Sequence, residues 1–133
     1  MRRVVLCNGV FDLLHVAHVR HLEQASKLGE LVVGVTRDAT VNKLGRPIIP
    51  EAERLEMIKS LRFVSDASLC RDSLDALEQW KPKIFCKGHD YVGKGLLSAE
   101  LDYCARYGIE IFHTDDNPQT TSKIIERIKC ASL

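Results

Sequence analysis

The sequence is short of the features that mark several common classes of protein. It has no excess of one charge: 19 Lys and Arg stand against 18 Asp and Glu, a formal net charge of +1. That balance gives no global attraction to a polyanion, so nucleic acid is not an expected partner and any basic site must be local. There is no long apolar run near the N-terminus either. Val4 to Cys7 is cut off by Asn8-Gly9, too short for a signal core or a membrane span, and a cytoplasmic protein is expected. There is no C-x-x-C pair. Cys7, Cys70, Cys86, Cys104 and Cys130 are scattered and odd in number, which argues against a disulfide framework and a zinc site. They read as buried, reduced thiols in apolar stretches. With no repeat and no low-complexity linker in 133 residues, 45% of them hydrophobic, one domain over residues 1–133 is expected.

What is present is an alternation of short apolar runs with helical patterns, the signature of a parallel α/β sheet. Arg3–Cys7 predicts a first strand. His15–Gly29 predicts a helix with Val19, Leu22, Ala25 and Leu28 at helical intervals. Leu31–Thr36 is apolar throughout, as a strand covered on both faces should be. Glu51–Leu61 predicts a second helix with Leu55, Ile58 and Leu61 inward and its charged residues outward. Val64–Leu69, Ser73–Trp80, Lys83–Cys86, Leu97–Tyr107 and Ile109–Phe112 continue the alternation as strand, helix, strand, helix, strand. Leu97, Leu101, Cys104 and Ala105 form the inner face of that later helix, and a last helix from Thr120 turns Ile124, Ile125 and Ile128 toward the core.

Ligands in such sheets sit beyond the carboxyl ends of the strands, which directs attention to residues 8–14, 37–50, 88–95 and 114–119. The first of these loops leads to His15 and His18, three apart where the first helix opens. Residues i and i+3 share a helix face, and a helix N-terminus offers unpaired N–H groups and a partial positive charge. Imidazoles and helix end therefore converge on one anion, with a helix cap and a packed or exposed histidine as the plainer alternative. The spacing is wrong for a zinc protease, which needs four residues and an intervening Glu. Lys87 closes an apolar strand at its carboxyl edge, where a charge has reason to face a ligand. Gly88-x-x-x-x-Gly93-Lys94-Gly95 comes within one residue of a phosphate-binding loop, but the missing Ser or Thr makes a kinase or ATPase a poor reading.

The run Asn8-Gly9-Val10-Phe11-Asp12-Leu13-Leu14-His15-Val16-Ala17-His18 resembles the G-x-F-D-x-x-H-x-G-H signature of cytidylyltransferase-like nucleotidyltransferases, with Ala17 in place of a glycine. Arg46-Pro47 with Pro50-x-x-Glu53-Arg54 is similar to the segment leading to that family's second helix. Lys87-Gly88-His89-Asp90-Tyr91 resembles the K-G-G-D-Y of heptose-phosphate adenylyltransferases, and Thr120 to Ile124 the S-T-T-K-I of glycerol-3-phosphate cytidylyltransferases. The resemblance implies a Rossmann-like three-layer fold with a five-stranded parallel sheet in the order 3-2-1-4-5, and a homodimer. It implies transfer of a nucleoside monophosphate from ATP or CTP to a small phosphorylated acceptor, with Mg2+ carried mainly by the triphosphate. A heptose-phosphate adenylyltransferase comes first, a CTP-dependent glycerol-3-phosphate or related cytidylyltransferase second. Ala17 also motivates a different class, a nucleotide-binding regulatory module without turnover.

By the same resemblance, His15, His18, Lys43 and Lys87 are the catalytic set. Asn8, Gly9, Val10, Phe11, Asp12, Arg46, Lys87, Thr120, Thr121 and Ser122 hold the nucleotide, and Asp12, His89, Asp90 and Tyr91 hold the acceptor. Lys43 and Arg46 correspond to a basic loop that closes over phosphates.

Overall fold

A computed structural model of the chain describes residues 2–41, 44–88, 98–115 and 117–131. In chain order the elements are β1 (Val4–Gly9), α1 (Val16–Ser26), β2 (Glu30–Thr36), a short 3-10 turn (Asp38–Thr40), α2 (Glu51–Lys59), β3 (Asp66–Cys70), α3 (Ser73–Trp80), β4 (Ile84–Lys87), α4 (Ser98–Tyr107), β5 (Glu110–His113) and α5 (Thr121–Cys130). The five strands form one sheet in the order β3-β2-β1-β4-β5, every pairing parallel. This is the expected Rossmann-like arrangement. It puts β1 at the centre, where the strand order reverses, the place at which such sheets open a crevice beyond their strand ends.

The sheet is covered on both faces because its central strands are apolar on both. Val5 and Cys7 of β1 join a core with Leu22 and Ala25 of α1 and Ile58 of α2. Leu6, between them in sequence, joins the other core with Ala76 and Leu77 of α3 and Cys104 of α4. Alternate side chains of a strand point to opposite faces, so each β1 residue is assigned its helix layer by parity. Gly34 in β2 permits close approach, since a Cβ there would stand 2.8 Å from the Ala76 Cβ.

Several local expectations need correction. β1 continues through Asn8-Gly9 rather than stopping at Cys7, because those two residues still pair with Gly34 and Val35. β3, β4 and β5 each start one or two residues later than expected. Arg54 does not join the other charges on the outside of α2 and is 1% exposed. On α4 the inward residues are Glu100 and Cys104, while Leu101 is 46% exposed and Ala105 is exposed too. On α5, Ile124 and Ile125 are half-buried and Ile128 is exposed. Cys130 is also exposed, the exception among the five cysteines. Among the described residues no helix is long and apolar enough to cross a membrane.

Candidate functional site

The turn that leaves β1 is built on unusual backbone. Phe11 and Leu13 both lie in the left-handed region, at φ 55° and 49°, a conformation that costs a non-glycine residue energy and needs surrounding structure to hold it. Three contacts do so. Phe11 is buried and packs edge-on against His18, ring centroids 5.4 Å apart. Gly9 leaves room for that ring, for a Cβ there would meet it at 3.0 Å. Asp12, between the two strained residues, is 2% exposed, and its carboxylate accepts hydrogen bonds from the N–H groups of Ile48 at 2.9 Å and Ile49 at 3.0 Å and from Arg46 Nε at 3.1 Å. Burial alone would raise the Asp12 pKa, but those N–H donors and the Arg46 charge outweigh it and hold the carboxyl below its ordinary range.

Behind the turn lies Arg54. Its guanidinium donates to the carbonyls of Val10 at 2.7 Å, Thr36 at 2.9 Å and Ile49 at 2.8 Å, and to Asp38 at 2.5 Å. One buried cation thereby ties together the exits of β1 and β2 and the segment leading into α2. A planar fork of fixed donors suits this task and a lysine ammonium does not.

His15 and His18 cap α1 reciprocally. His15 Nδ1 accepts the N–H of Ala17 at 3.2 Å, and His18 Nδ1 accepts the N–H of His15 at 3.2 Å. An imidazole nitrogen that accepts carries no proton, so this pattern assigns the proton of each neutral ring to Nε2. The rings stack with centroids 3.8 Å apart and planes inclined by 23°. Burial, then the charges that His15 and His21 would carry, push the His18 pKa down to about 4, and burial lowers that of His15 too. Both groups are thus neutral hydrogen-bond donors at neutral pH. His21, one turn on, is pushed down to about 4 by burial and the nearby Lys87 charge, and its Nδ1 is 2.7 Å from Thr114 Oγ1.

Opposite stands the N-terminus of α5. Thr120 Oγ1 accepts the N–H of Lys123 at 3.0 Å, and Thr121 Oγ1 donates to the Asp12 carbonyl at 2.7 Å. Two helix N-termini therefore face one cleft of about 270 Å³, whose walls are Asn8 to Phe11 at the end of β1, His15, Ala17, His18 and His21 on α1, Gly88 beyond β4, and Thr114, Asp115, Asn117, Gln119, Thr120 and Thr121.

Of the residues expected to serve the site, Asn8, Gly9, Val10, Phe11, His15, His18, Thr120 and Thr121 line this cleft. Others stand elsewhere. Asp12, expected to contact both nucleotide and acceptor, is turned inward and paired with Arg46. Lys87, expected to face a ligand, is 7% exposed and does not line the cleft. Its ammonium is 3.7 Å from Glu100, whose carboxylate also accepts from the Ser73 hydroxyl. Ser122 is exposed outside the cleft. Lys43, His89, Asp90 and Tyr91, with Gly93 to Gly95 of the near phosphate loop, lie outside the described residues. Ala17 is in ordinary helical backbone, not among the residues of positive φ, so the replacement of glycine adds a methyl group to the cleft wall without strain. Sequence reasoning passed over His21 and Thr114. The signal for His21 was present, since 15, 18 and 21 continue one i, i+3 row.

Of the three depressed histidines, His18 and His21, both pushed down to about 4, give a stability prediction. Their folded pKa of about 4 lies below the ordinary 6.5, so as pH falls the unfolded chain takes up protons first. Their contribution is whole above about pH 6.5 and is lost as pH drops toward about 4. Thermal melts from neutral to acid pH should show the decline starting near the upper limit, and a His18→Asn/His21→Asn double variant should flatten it. A melting temperature in the unmodified protein that is level across that window would contradict the buried, neutral state.

The profile of the family described as "Cytidylyltransferase-like" matches residues 6–127. The chain belongs to the cytidylyltransferase-like family. It is 38% identical over 133 residues to the bifunctional protein HldE of Citrifermentans bemidjiense, and covers 27% of that protein's length. It is 46% identical over 91 residues to the FAD synthase of Methanohalophilus mahii, an overlap of 66% of this chain and 64% of that protein. The chain thus spans about a quarter of the HldE proteins it matches. Among solved structures, the lipopolysaccharide core biosynthesis protein of Thermoplasma volcanium superposes with a TM-score of 0.75 at 35% identity, over 88% of this chain and 99% of that one.

Proposed function

We propose that the chain is a nucleotidyltransferase, moving a nucleoside monophosphate from a nucleoside triphosphate to a phosphorylated acceptor. The observation that carries this reading is the convergence of two helix N-termini and two Nε2–H imidazole edges on one cleft. A triphosphate is the ligand such a cleft suits, because backbone N–H groups at helix ends and fixed neutral donors bind phosphate oxygens.

In the reaction, an oxygen of the acceptor phosphate attacks the α-phosphorus, the bond from that phosphorus to the β-phosphate oxygen breaks, and pyrophosphate leaves. The attacking phosphate, with a second pKa of about 6, is already largely ionised, so the site needs no general base. What it must do is align the partners and stabilise the charge on the transferring group, which preorganised donors do without reorganising. His15 and His18 suit this role because the cap fixes each ring. In this reading magnesium enters as the complex with the triphosphate, part of the substrate.

Adenylyl transfer is favoured over cytidylyl transfer because FAD synthase, a relative at 46% identity, is named for an adenylate-containing product. A sugar phosphate of the heptose type is the first acceptor to try, on the resemblance at residues 87–91. Glycerol 3-phosphate with CTP is the second. The test is to incubate the protein with ATP or CTP, magnesium and each acceptor, FMN included, and measure pyrophosphate. Release that requires ATP and one acceptor supports the reading. Triphosphate binding in calorimetry without release in any combination supports instead a regulatory module in which Ala17 has cost turnover.

A further inference from the structure

Beyond the histidine pair, the cleft has an end that the transfer chemistry does not use. His21 stands three residues past His18, about 4.5 Å farther from the helix N-terminus at the usual rise per residue, and still lines the cleft. Beside it the wall is made by Thr114, Asn117 and Gln119. The amide oxygens of Asn117 and Gln119 are occupied by the backbone N–H groups of Gln119, at 3.1 Å, and Thr120, at 3.0 Å. Their NH2 groups are what remain for a ligand.

Thr114 decides what His21 offers. It is 3% exposed, and its hydroxyl has no hydrogen-bond partner other than His21 Nδ1 among the described residues. A buried hydroxyl hydrogen left without an acceptor costs free energy that a hydrogen-bonded one does not. An imidazole edge facing an open cleft can be satisfied by water or ligand in either tautomer. The cheaper arrangement has the Thr114 hydroxyl donating to Nδ1, which puts the His21 proton on Nε2, as in His15 and His18. This end of the cleft lies past the first turn of α1, where the positive charge of the helix end has fallen off, and presents neutral donors to the carbonyl oxygens and ring nitrogens of a nucleobase and the oxygens of a ribose.

We propose that His21 is a third ligand-contacting histidine of the cleft, held as the Nε2–H tautomer by Thr114 and donating to the nucleoside part of the nucleotide. The assignment rests on the nucleotidyltransferase reading above, and makes His21 a specificity-determining residue of that site.

The test uses the whole chain. Long-range 1H–15N spectra of the imidazoles should show His21 as the Nε2–H tautomer, and its resonance should move with ATP or CTP but not with inorganic tripolyphosphate. His21→Asn places an amide within reach of Thr114 and removes the distal donor; it should weaken nucleotide binding about tenfold, the loss of one hydrogen bond, with tripolyphosphate binding retained. His21→Gln, which restores a distal donor, should recover most of the affinity. An Nδ1–H tautomer, nucleotide affinity unchanged in His21→Asn, or equal losses for nucleotide and tripolyphosphate would each overturn the proposal. Failure of the unmodified protein to bind either nucleotide would overturn the nucleotide reading itself, and this proposal with it.

Discussion

His18→Asn is expected to lower turnover by about a hundred- to a thousandfold, the usual effect of losing one fixed donor to developing charge, while the melting temperature falls by less than in His18→Ala, both variants losing the ring contact with Phe11. The two halves of the His18 ring do different work. Nδ1 accepts the N–H of His15 and so closes the helix cap, and Asn, with its oxygen at a comparable reach, keeps an acceptor there. Nε2 is the edge left for a ligand, and Asn has nothing to put in its place. His18→Ala removes both halves, so it should add a loss of about 1 kcal/mol in stability, typical of a missing cap, to the same loss of rate. Steady-state kinetics and thermal melts on the two variants separate these effects. Unchanged turnover in His18→Asn would mean that the histidine pair serves only the fold. Such an effect presupposes the proposed transfer reaction, and the melting data stand without it.

The second large effect concerns a residue that touches no ligand. Arg54→Met retains much of the volume but removes the donors to the carbonyls of Val10, Thr36 and Ile49. Asp38, 41% exposed, is rehydrated easily, whereas the three carbonyls lose the buried guanidinium that donated to them. The expected cost is about 3–5 kcal/mol, since each buried carbonyl left unsatisfied costs about 1–3 kcal/mol, or a fall in melting temperature of about 10–20 °C for a domain of this size. Arg54→Lys should recover only part, because one ammonium cannot span four acceptors. Chemical denaturation measures the loss directly. A cost below about 1 kcal/mol, the worth of a single ordinary hydrogen bond, would show that the guanidinium is not the tie described here.

These two residues mark what was and was not legible in the sequence. The approximate places of the strands could be read because burial on both sheet faces demands continuous apolar runs, and the helix at residues 73–80 and the His15–His18 row because helical spacing is local; the strand order came only through the family resemblance. Arg54 was hidden by the same reasoning that found Ile58: periodicity sorts charged from apolar residues and places every charge outside. Its partners at Val10 and Thr36 are brought to it by the sheet, not by sequence neighbours. Ile124, Ile125 and Ile128 fail in the opposite sense. Their pattern defines an apolar stripe, but whether anything covers a stripe depends on the rest of the fold, and Ile128 remains 64% exposed. Lys87 at a strand end was expected to meet a ligand. The carboxylate that meets it belongs to Glu100, on a helix whose inner face the apolar pattern assigned to Leu101 and Ala105.

The hydrogen bond from the Thr121 hydroxyl to the Asp12 carbonyl joins residues 109 apart in sequence. During synthesis, then, the loop that bears His15 leaves the ribosome long before the helix that completes its binding wall. A nascent chain ending anywhere before α5 has the histidines without the opposite helix end, so the two walls of the cleft meet only once the last helix has been made.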